Sequence, residues 1–160
     1  MCGSLGHGLS GAVGFALAAQ LAGEDRDTFA FLSDGEMQEG QVWEAAMFAG
    51  YRRLDRLIVV IDANNSQVDG PVTSVTTIEP LAEKWRSFGW HVSEVDGHDV
   101  EALWQAFAAG RGGGAPLVVI ARTEILGRLN AIPPTVDGHF IKIDSELKAA
   151  ILKELGAALA

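Results

Sequence analysis

Two apolar runs in this 160-residue chain end in residues that could hold a cation. Residues 28–32, TFAFL, run into Ser33-Asp34-Gly35-Glu36, and residues 56–61, RLIVVI, run into Asp62-Ala63-Asn64-Asn65-Ser66. If the runs are neighbouring parallel strands, Asp34 and Asn64 meet at their carboxyl ends, where open parallel sheets bind ligands. A carboxylate oxygen, a side-chain amide oxygen and a backbone carbonyl are hard donors suited to Mg²⁺ or Ca²⁺. A loosely held Mg²⁺ keeps positions open for phosphate oxygens. Gly35 permits a tight turn and a close ligand approach. Taken singly, Asp before Gly at a strand end is a common turn, and Asn-Asn is a common loop. The weight lies in the pair, each member at a strand tip and the two separated by one helix and one strand.

The elements that must position these residues read as an alternation of helices and strands. Residues 9–21 carry Gly11, Gly14 and Ala18 at helical spacing beside Val13, Leu17 and Leu21, a small-residue face that lets a helix approach a sheet or another helix closely. Residues 28–32 form a strand and residues 41–52 a helix. The run at 56–61 is apolar on both faces, the pattern of a parallel strand covered by helices on both sides. Residues 62–77 read as a polar loop, 81–88 as a helix and 91–95 as a strand. Asp99 is the N-cap of a helix through residue 108, and residues 116–121, PLVVIA, form another strand. Residues 123–144 show no clear periodicity, and a closing helix capped by Ser145 runs from 145 towards the C-terminus. This alternation predicts an α/β fold: a doubly wound, mostly parallel sheet with helices on both faces, in one domain over residues 1–160.

Composition narrows the function classes. With 21 acidic against 12 basic residues and a net charge of -9, a nucleic-acid backbone is an unfavourable partner. An anionic cofactor remains compatible where a metal or backbone amides supply the positive field. One cysteine, Cys2, leaves no internal disulfide or multi-thiolate metal site. No apolar stretch approaches the ~20 residues of a membrane span, and there is no signal-peptide pattern. The expectation is a soluble cytoplasmic protein with no membrane partner.

Several ordered stretches together resemble the transketolase family of thiamine diphosphate enzymes. Ser33-Asp34-Gly35 followed by Asn64-Asn65 resembles the family's Gly-Asp-Gly to Asn motif. Around it stand GSLGHGLSGAVGFALA from Gly3, SDGEMQEGQVWEAAMFAG from Ser33, LIVVIDANNSQVDG from Leu57, FGW from Phe88 and VDGHD from Val95. The likeness runs from Gly3 to about Thr123 and implies a diphosphate-binding domain like the N-terminal subunit of split transketolases.

The resemblance implies roles at matching positions. Asp34 would give a carboxylate to Mg²⁺ or Ca²⁺, Asn64 its side-chain oxygen and Ser66 its backbone carbonyl, with Asn65 the competing ligand in a shifted register. Gly35 and Glu36 would approach the diphosphate of thiamine diphosphate through the backbone. Gly3, Ser4 and Leu5 match the segment at the aminopyrimidine ring. His7 stands where the family often has Gln, and His139 corresponds to a family histidine near the phosphate; both are the catalytic candidates. Glu39 matches a glutamate linking active sites across a dimer, or is a helix N-terminal carboxylate favoured by the dipole.

The resemblance also implies what lies elsewhere. The glutamate that activates the cofactor belongs to a pyrimidine-binding domain, so a transketolase C-terminal subunit is the expected partner, in a homodimer or heterotetramer acting on sugar or sugar phosphate substrates. Alone, the chain would be inactive. It departs from the family in lacking the usual segment before GSLG, in Ser33 for the first motif glycine, and in EILGRLNAIPP for the Lys-Gly-Lys-Gly-like stretch. Those departures keep a non-catalytic interaction module open as the alternative, and the cofactor half of a 2-oxo acid dehydrogenase or deoxyxylulose phosphate synthase as a further one. His98 and Asp99 read either as an acid/base pair or as a turn and N-cap. His91, Trp43, Trp85, Trp90 and Trp104 read as packing residues. GSLGHG lacks the preceding strand of a dinucleotide fingerprint.

Overall fold

The computed structural model describes residues 3–133, 136 and 138–158; expectations that fell on Met1, Cys2, Pro134, Asp137, Leu159 and Ala160 lie outside them. Four strands form one parallel sheet: β1 (Thr28–Ser33), β2 (Leu57–Ala63), β5 (His91–Asp96) and β6 (Leu117–Arg122), in the order β1-β2-β6-β5. The helices are α1 (His7–Ala22), α2 (Gly40–Arg52), α3 (Val72–Val75), α4 (Leu81–Ser87), α5 (Val100–Gly110) and α6 (Ser145–Ala158). The α/β architecture read from the alternating pattern is the one observed.

Side-chain alternation sorts the strands onto two faces. Ala30, Leu32, Leu57, Val59, Ile61, Val118 and Ile120 point to one face. There they meet Leu9 and Ala16 of α1, Ala46 and Ala49 of α2, and Trp85 of α4. Ile58, Leu117 and Val119 point to the other, where α5 supplies Ala106 with Leu103 and Phe107 beside it. The β1-to-β2 connection therefore carries α2 on one face, and the β5-to-β6 connection carries α5 on the other. Where crossovers from adjacent strands part to opposite faces, a crevice opens at the carboxyl ends. β2 and β6 lie side by side between those two crossovers, and a cleft lined by Asp62, Asn64, Ala121 and Thr123 opens at their carboxyl ends.

Several boundaries differ from the periodicity reading, for local reasons. β2 starts at Leu57 and continues through Asp62 and Ala63, because pairing with β1 and β6 on both sides overrides the polarity of Asp62. The segment expected as a plain loop folds back as a two-residue antiparallel pair, β3 (Ser66–Gln67) with β4 (Gly70–Pro71), followed by the single turn α3. A 3-10 turn, Gly35–Gln38, follows β1, and another, Ile125–Arg128, follows β6. Asp144 rather than Ser145 caps α6, its Oδ1 accepting from the Leu147 amide at 2.8 Å.

Helix α1 buries Leu9, Ala12, Val13, Ala16 and Ala19. Gly11, Gly14 and Ala18 lie on its exposed side with Phe15 and Leu21, so the packed face is a mixture of Leu9 and Val13 with three alanines rather than the glycine stripe. Trp85 and Trp90 are buried and stack edge-to-face with centroids 4.7 Å apart. The Trp90 indole N–H donates to the Ala46 carbonyl at 2.8 Å, which answers the demand of a buried polar handle. Trp104 and His91 are exposed and do not pack in the core, contrary to the reading from type alone. Asp99 caps α5 as expected, accepting from the Ala102 amide at 3.0 Å.

One glycine marks the tightest approach of helix to turn. A β-carbon at Gly50 would lie 1.9 Å from the Phe88 carbonyl oxygen, a backbone atom that cannot rotate away. Gly to Ala inside a helix ordinarily stabilises by about 1 kcal/mol. Gly50→Ala is expected to reverse that sign and destabilise the fold by roughly 2–3 kcal/mol through overpacking, read as a lower urea midpoint. An unchanged or raised midpoint would show that the 88–90 turn can move away from α2.

Candidate functional site

Register brings the two polar strand tips together. β1 and β2 pair with Ser33 opposite Asp62, and the ladder continues as the Asp34 amide donates to the Asp62 carbonyl at 3.1 Å. The Asp34 carboxylate then receives two backbone amides, Gly35 at 2.8 Å on Oδ1 and Asn65 at 2.6 Å on Oδ2. A single acidic side chain thus joins the turn after β1 to the turn after β2.

Asp34 is 4% exposed. Burial holds its carboxyl above the ordinary aspartate range, the Asn65 and Gly35 amides pull it back, and the negative charge of Asp62 pushes it further up. Two carboxylates therefore act on each other at the ends of β1 and β2, with amide dipoles as the local compensation. Such a pair favours a bound cation, whose charge offsets both burial and mutual repulsion.

Asn64 lies beside them, its Nδ2 donating to Asp62 Oδ2 at 3.0 Å and its Oδ1 accepting from the Ser66 amide at 2.9 Å. The other Asp62 oxygen accepts from the Thr123 hydroxyl. Asn65 has a positive φ of 56°, and its side-chain oxygen takes the Thr73 amide at 3.0 Å. Its side chain is committed to the α3 turn, while Asn64 remains at the crevice. Among the described residues no three His, Cys, Asp or Glu side chains converge as a metal site. A cation here would draw on mixed oxygen donors, the chemistry suited to Mg²⁺ or Ca²⁺.

The glycine-rich segment before α1 reaches the same place. The buried Glu36 side chain accepts the Gly6 amide at 2.6 Å, and Gln41 Nε2 donates to the Leu5 carbonyl at 3.0 Å. Gly6 sits at φ 82°, and a β-carbon there would fall 2.7 Å from Gln41 Nε2 and 2.9 Å from Glu39 Cβ. Gly3, Ser4 and Leu5 are exposed and thus tied to the Asp34 turn through the residues that follow them. His7, also exposed, opens α1 directly after Gly6. A β-carbon at Gly35 would sit 3.0 Å from Gln67 Cβ, so the turn runs close under the β3 strand.

Two side chains of the opening motif take part in these contacts. Glu36 uses its carboxylate on Gly6, while its own amide donates to Ser33 Oγ at 3.2 Å. The Ser33 hydroxyl therefore works inside the turn. His139 Nδ1 comes within 3.2 Å of Ser66 Oγ, which places that histidine at the rim of the site. Glu39 precedes α2, exposed, and makes no side-chain cap. His98 Nε2 accepts the Glu124 amide at 2.9 Å while Asp99 faces α5, so the two do not form an acid/base pair.

Sequence reasoning missed Asp62 and Thr123. Asp62 alternates to the α5 side of the sheet, where Thr123, Asn64, His98 and Phe31 line a cleft of about 540 Å³. An acidic residue at the end of an apolar strand was the available signal. Its partner lies 61 residues away, beyond the reach of a local pattern.

The raised Asp34 titration has a definite sign. A carboxyl whose folded value lies above its unfolded value contributes stability at acid pH that is lost as pH rises through the folded value. In cation-free buffer, the unfolding free energy of the wild type minus that of Asp34→Asn is expected to fall between acid and neutral pH. A difference that rises would show the two amides, and not burial, to be dominant. Glu36→Ala would leave the buried Gly6 amide unpaired and cost about 1–3 kcal/mol in denaturant titration.

Over residues 1–155 the chain matches the family described as transketolase, thiamine diphosphate binding domain. It is 43% identical over 154 residues to a 6-deoxy-6-sulfo-D-fructose transketolase subunit of Clostridium sp. (strain MSTE9), covering 96% of this chain and 56% of that protein. It is 40% identical over 121 residues to an apulose-4-phosphate transketolase subunit of Actinobacillus succinogenes, covering 76% of this chain and 44% of that one. The chain thus spans about half the length of these curated relatives. Among solved structures it is similar to transketolase from Campylobacter jejuni, at TM-score 0.72 and 25% identity over 94% of this chain and 28% of that one. Transketolase from Leishmania mexicana aligns at TM-score 0.71 and 28% identity, over 97% of this chain and 28% of that one. The chain therefore belongs to the transketolase thiamine diphosphate-binding domain family, with its oxygen donors gathered at the carboxyl ends of β1 and β2.

Proposed function

We propose that this chain is a transketolase-like subunit that binds thiamine diphosphate through Mg²⁺. With a pyrimidine-domain partner subunit, it would contribute to the transfer of a two-carbon ketol unit from a ketose to an aldose. The observation that carries the proposal is Asp34, a buried carboxylate bound to the Asn65 amide beside Asn64 and opposed by a second acid. The relatives named as transketolase subunits support the division of the site between chains.

When bound, thiamine diphosphate supplies the nucleophilic carbon and electron sink of ketol transfer. The chain's own residues do the holding. Asp34, the Asn64 side-chain oxygen and the Ser66 carbonyl would hold Mg²⁺, with Ca²⁺ as an alternative of the same donor preference. Gly35 leaves room for the diphosphate, and the cation supplies the positive field that a chain of net charge -9 lacks. Residues 3–5 would lie along the aminopyrimidine ring, held in place by Glu36 and Gln41. His139, at Ser66, and His7, at the head of α1, would face the substrate side and assist proton movement or phosphate contact. The pyrimidine-domain subunit would complete the ring's surroundings, in a heterotetramer or a homodimeric pair of such sites.

Isothermal calorimetry with thiamine diphosphate and MgCl₂, in the presence of a pyrimidine-domain subunit from the same genome, tests the reading. Saturable, Mg²⁺-dependent binding is expected. Asp34→Ala should weaken it by at least 100-fold, about 2.7 kcal/mol at 1.36 kcal/mol per tenfold, and binding should also weaken as pH falls through the raised Asp34 value. No Mg²⁺-dependent heat with the partner present would refute it. Cofactor binding without ketol transfer to any aldose would leave the interaction-module alternative.

A further inference from the structure

We propose that Asp62 and Thr123 act as a positioning pair, which sets the orientation of the Asn64 side-chain amide and so decides which of its ends faces the cation. The inference rests on the cation-site reading above and concerns two residues that reading does not place among the cation's ligands.

A side-chain amide is nearly symmetric in shape, but its ends differ in chemistry: one accepts and the other donates. A cation needs the oxygen end. At Asn64 the choice is made by its neighbours, because Asp62 Oδ2 faces Nδ2 at 3.0 Å and can only accept. The Ser66 amide faces Oδ1 at 2.9 Å and can only donate. A flipped amide would set oxygen against carboxylate and N–H against N–H. The geometry is thus selected at both ends by mismatched alternatives.

Asp62 needs its own restraint, since a carboxylate at a strand end can rotate. Thr123 supplies it from the end of β6. Its hydroxyl donates to Asp62 Oδ1, and its backbone amide donates to the Ala63 carbonyl at 3.3 Å. Thr123 follows directly on the last β2–β6 pair, Ala63 with Arg122, so sheet register delivers the hydroxyl. The relay from Thr123 through Asp62 to Asn64 crosses the crevice between the two strands. It ties the width of that crevice to the direction of the amide. Outer partners of this kind typically change metal affinity about 10- to 100-fold when removed.

Asp62 also raises the negative field on Asp34, so a substitution there changes charge and orientation together. Thr123→Val separates them, because it removes the hydroxyl while keeping shape and net charge. The expected result is Mg²⁺-dependent thiamine diphosphate binding weakened about 10-fold or more in Thr123→Val and restored close to wild type in Thr123→Ser. Thermal unfolding of each variant reports the fold. In the cation-free chain, hydrogen exchange of the Asn64 Nδ2 protons by NMR is expected to quicken in Thr123→Val and not in Thr123→Ser. Wild-type affinity and unchanged exchange in Thr123→Val would overturn the inference, as would a Ser variant that loses as much as Val. A wild-type chain with no Mg²⁺-dependent binding would instead overturn the cation-site reading on which it rests, an outcome visible before any Thr123 variant is compared.

Discussion

The parallel pairing of β1 with β2 is the constraint on which the rest of the site depends. Its register sets Ser33 against Asp62, and the ladder is closed by the Asn65 amide on Asp34 at 2.6 Å. A slip of one residue would turn Ala30 and Leu32 out of the core and Phe29 and Phe31 into it. The same slip would carry Asp34 away from Asn65. Apolar packing on one face and the position of one carboxylate are therefore a single choice. The buried helix faces of α1 and α2 enforce the choice with far more contact area than the polar turn commands.

That turn is costly by itself. Asp34 is buried, opposed by Asp62 and compensated by two amides, and a group in that setting resists ionisation. A fold accepts such a site when the surrounding core over-determines the backbone. Here the parallel strands and the tryptophan cluster around Trp85 supply that determination. The resulting arrangement is a concentrated field of oxygen donors in a protein of net charge -9. A cation bridging to a diphosphate answers the field, which links an electrostatic liability of the fold to its proposed use.

The segment before α1 shows a different economy of parts. Glu36 satisfies the Gly6 amide, and Gln41 holds the Leu5 carbonyl, so two residues of the SDGEMQEGQ stretch fasten a loop some thirty positions earlier. The strand-end turn therefore organises both its own contacts and the approach of residues 3–6. The left-handed conformation at Gly6 is held by a glycine because Gln41 and Glu39 occupy the space of a side chain. Sites whose parts share supports in this way lose several contacts when one support is removed.

The alternation of apolar runs and helical spacing determined the α/β class, the parallel strands and the strand-tip location of Asp34 and Asn64, because these follow from periodicities of two and 3.6 residues along the chain. The Asp99 cap was legible for the same reason, as its partner is three residues on. Periodicity did not reveal that α1 turns Gly11 and Gly14 outward, that Trp104 stays exposed, or that Asp144 replaces Ser145 as a cap. Nor did it reveal the Glu36 bond to Gly6, the His139 contact with Ser66, or the bond from Thr123 to Asp62 that anchors Asn64. Only the tertiary structure decided these last three, since each joins groups 30 to 73 residues apart. Their meeting depends on strand order and register, which the summed packing of the whole core selects and no local pattern contains.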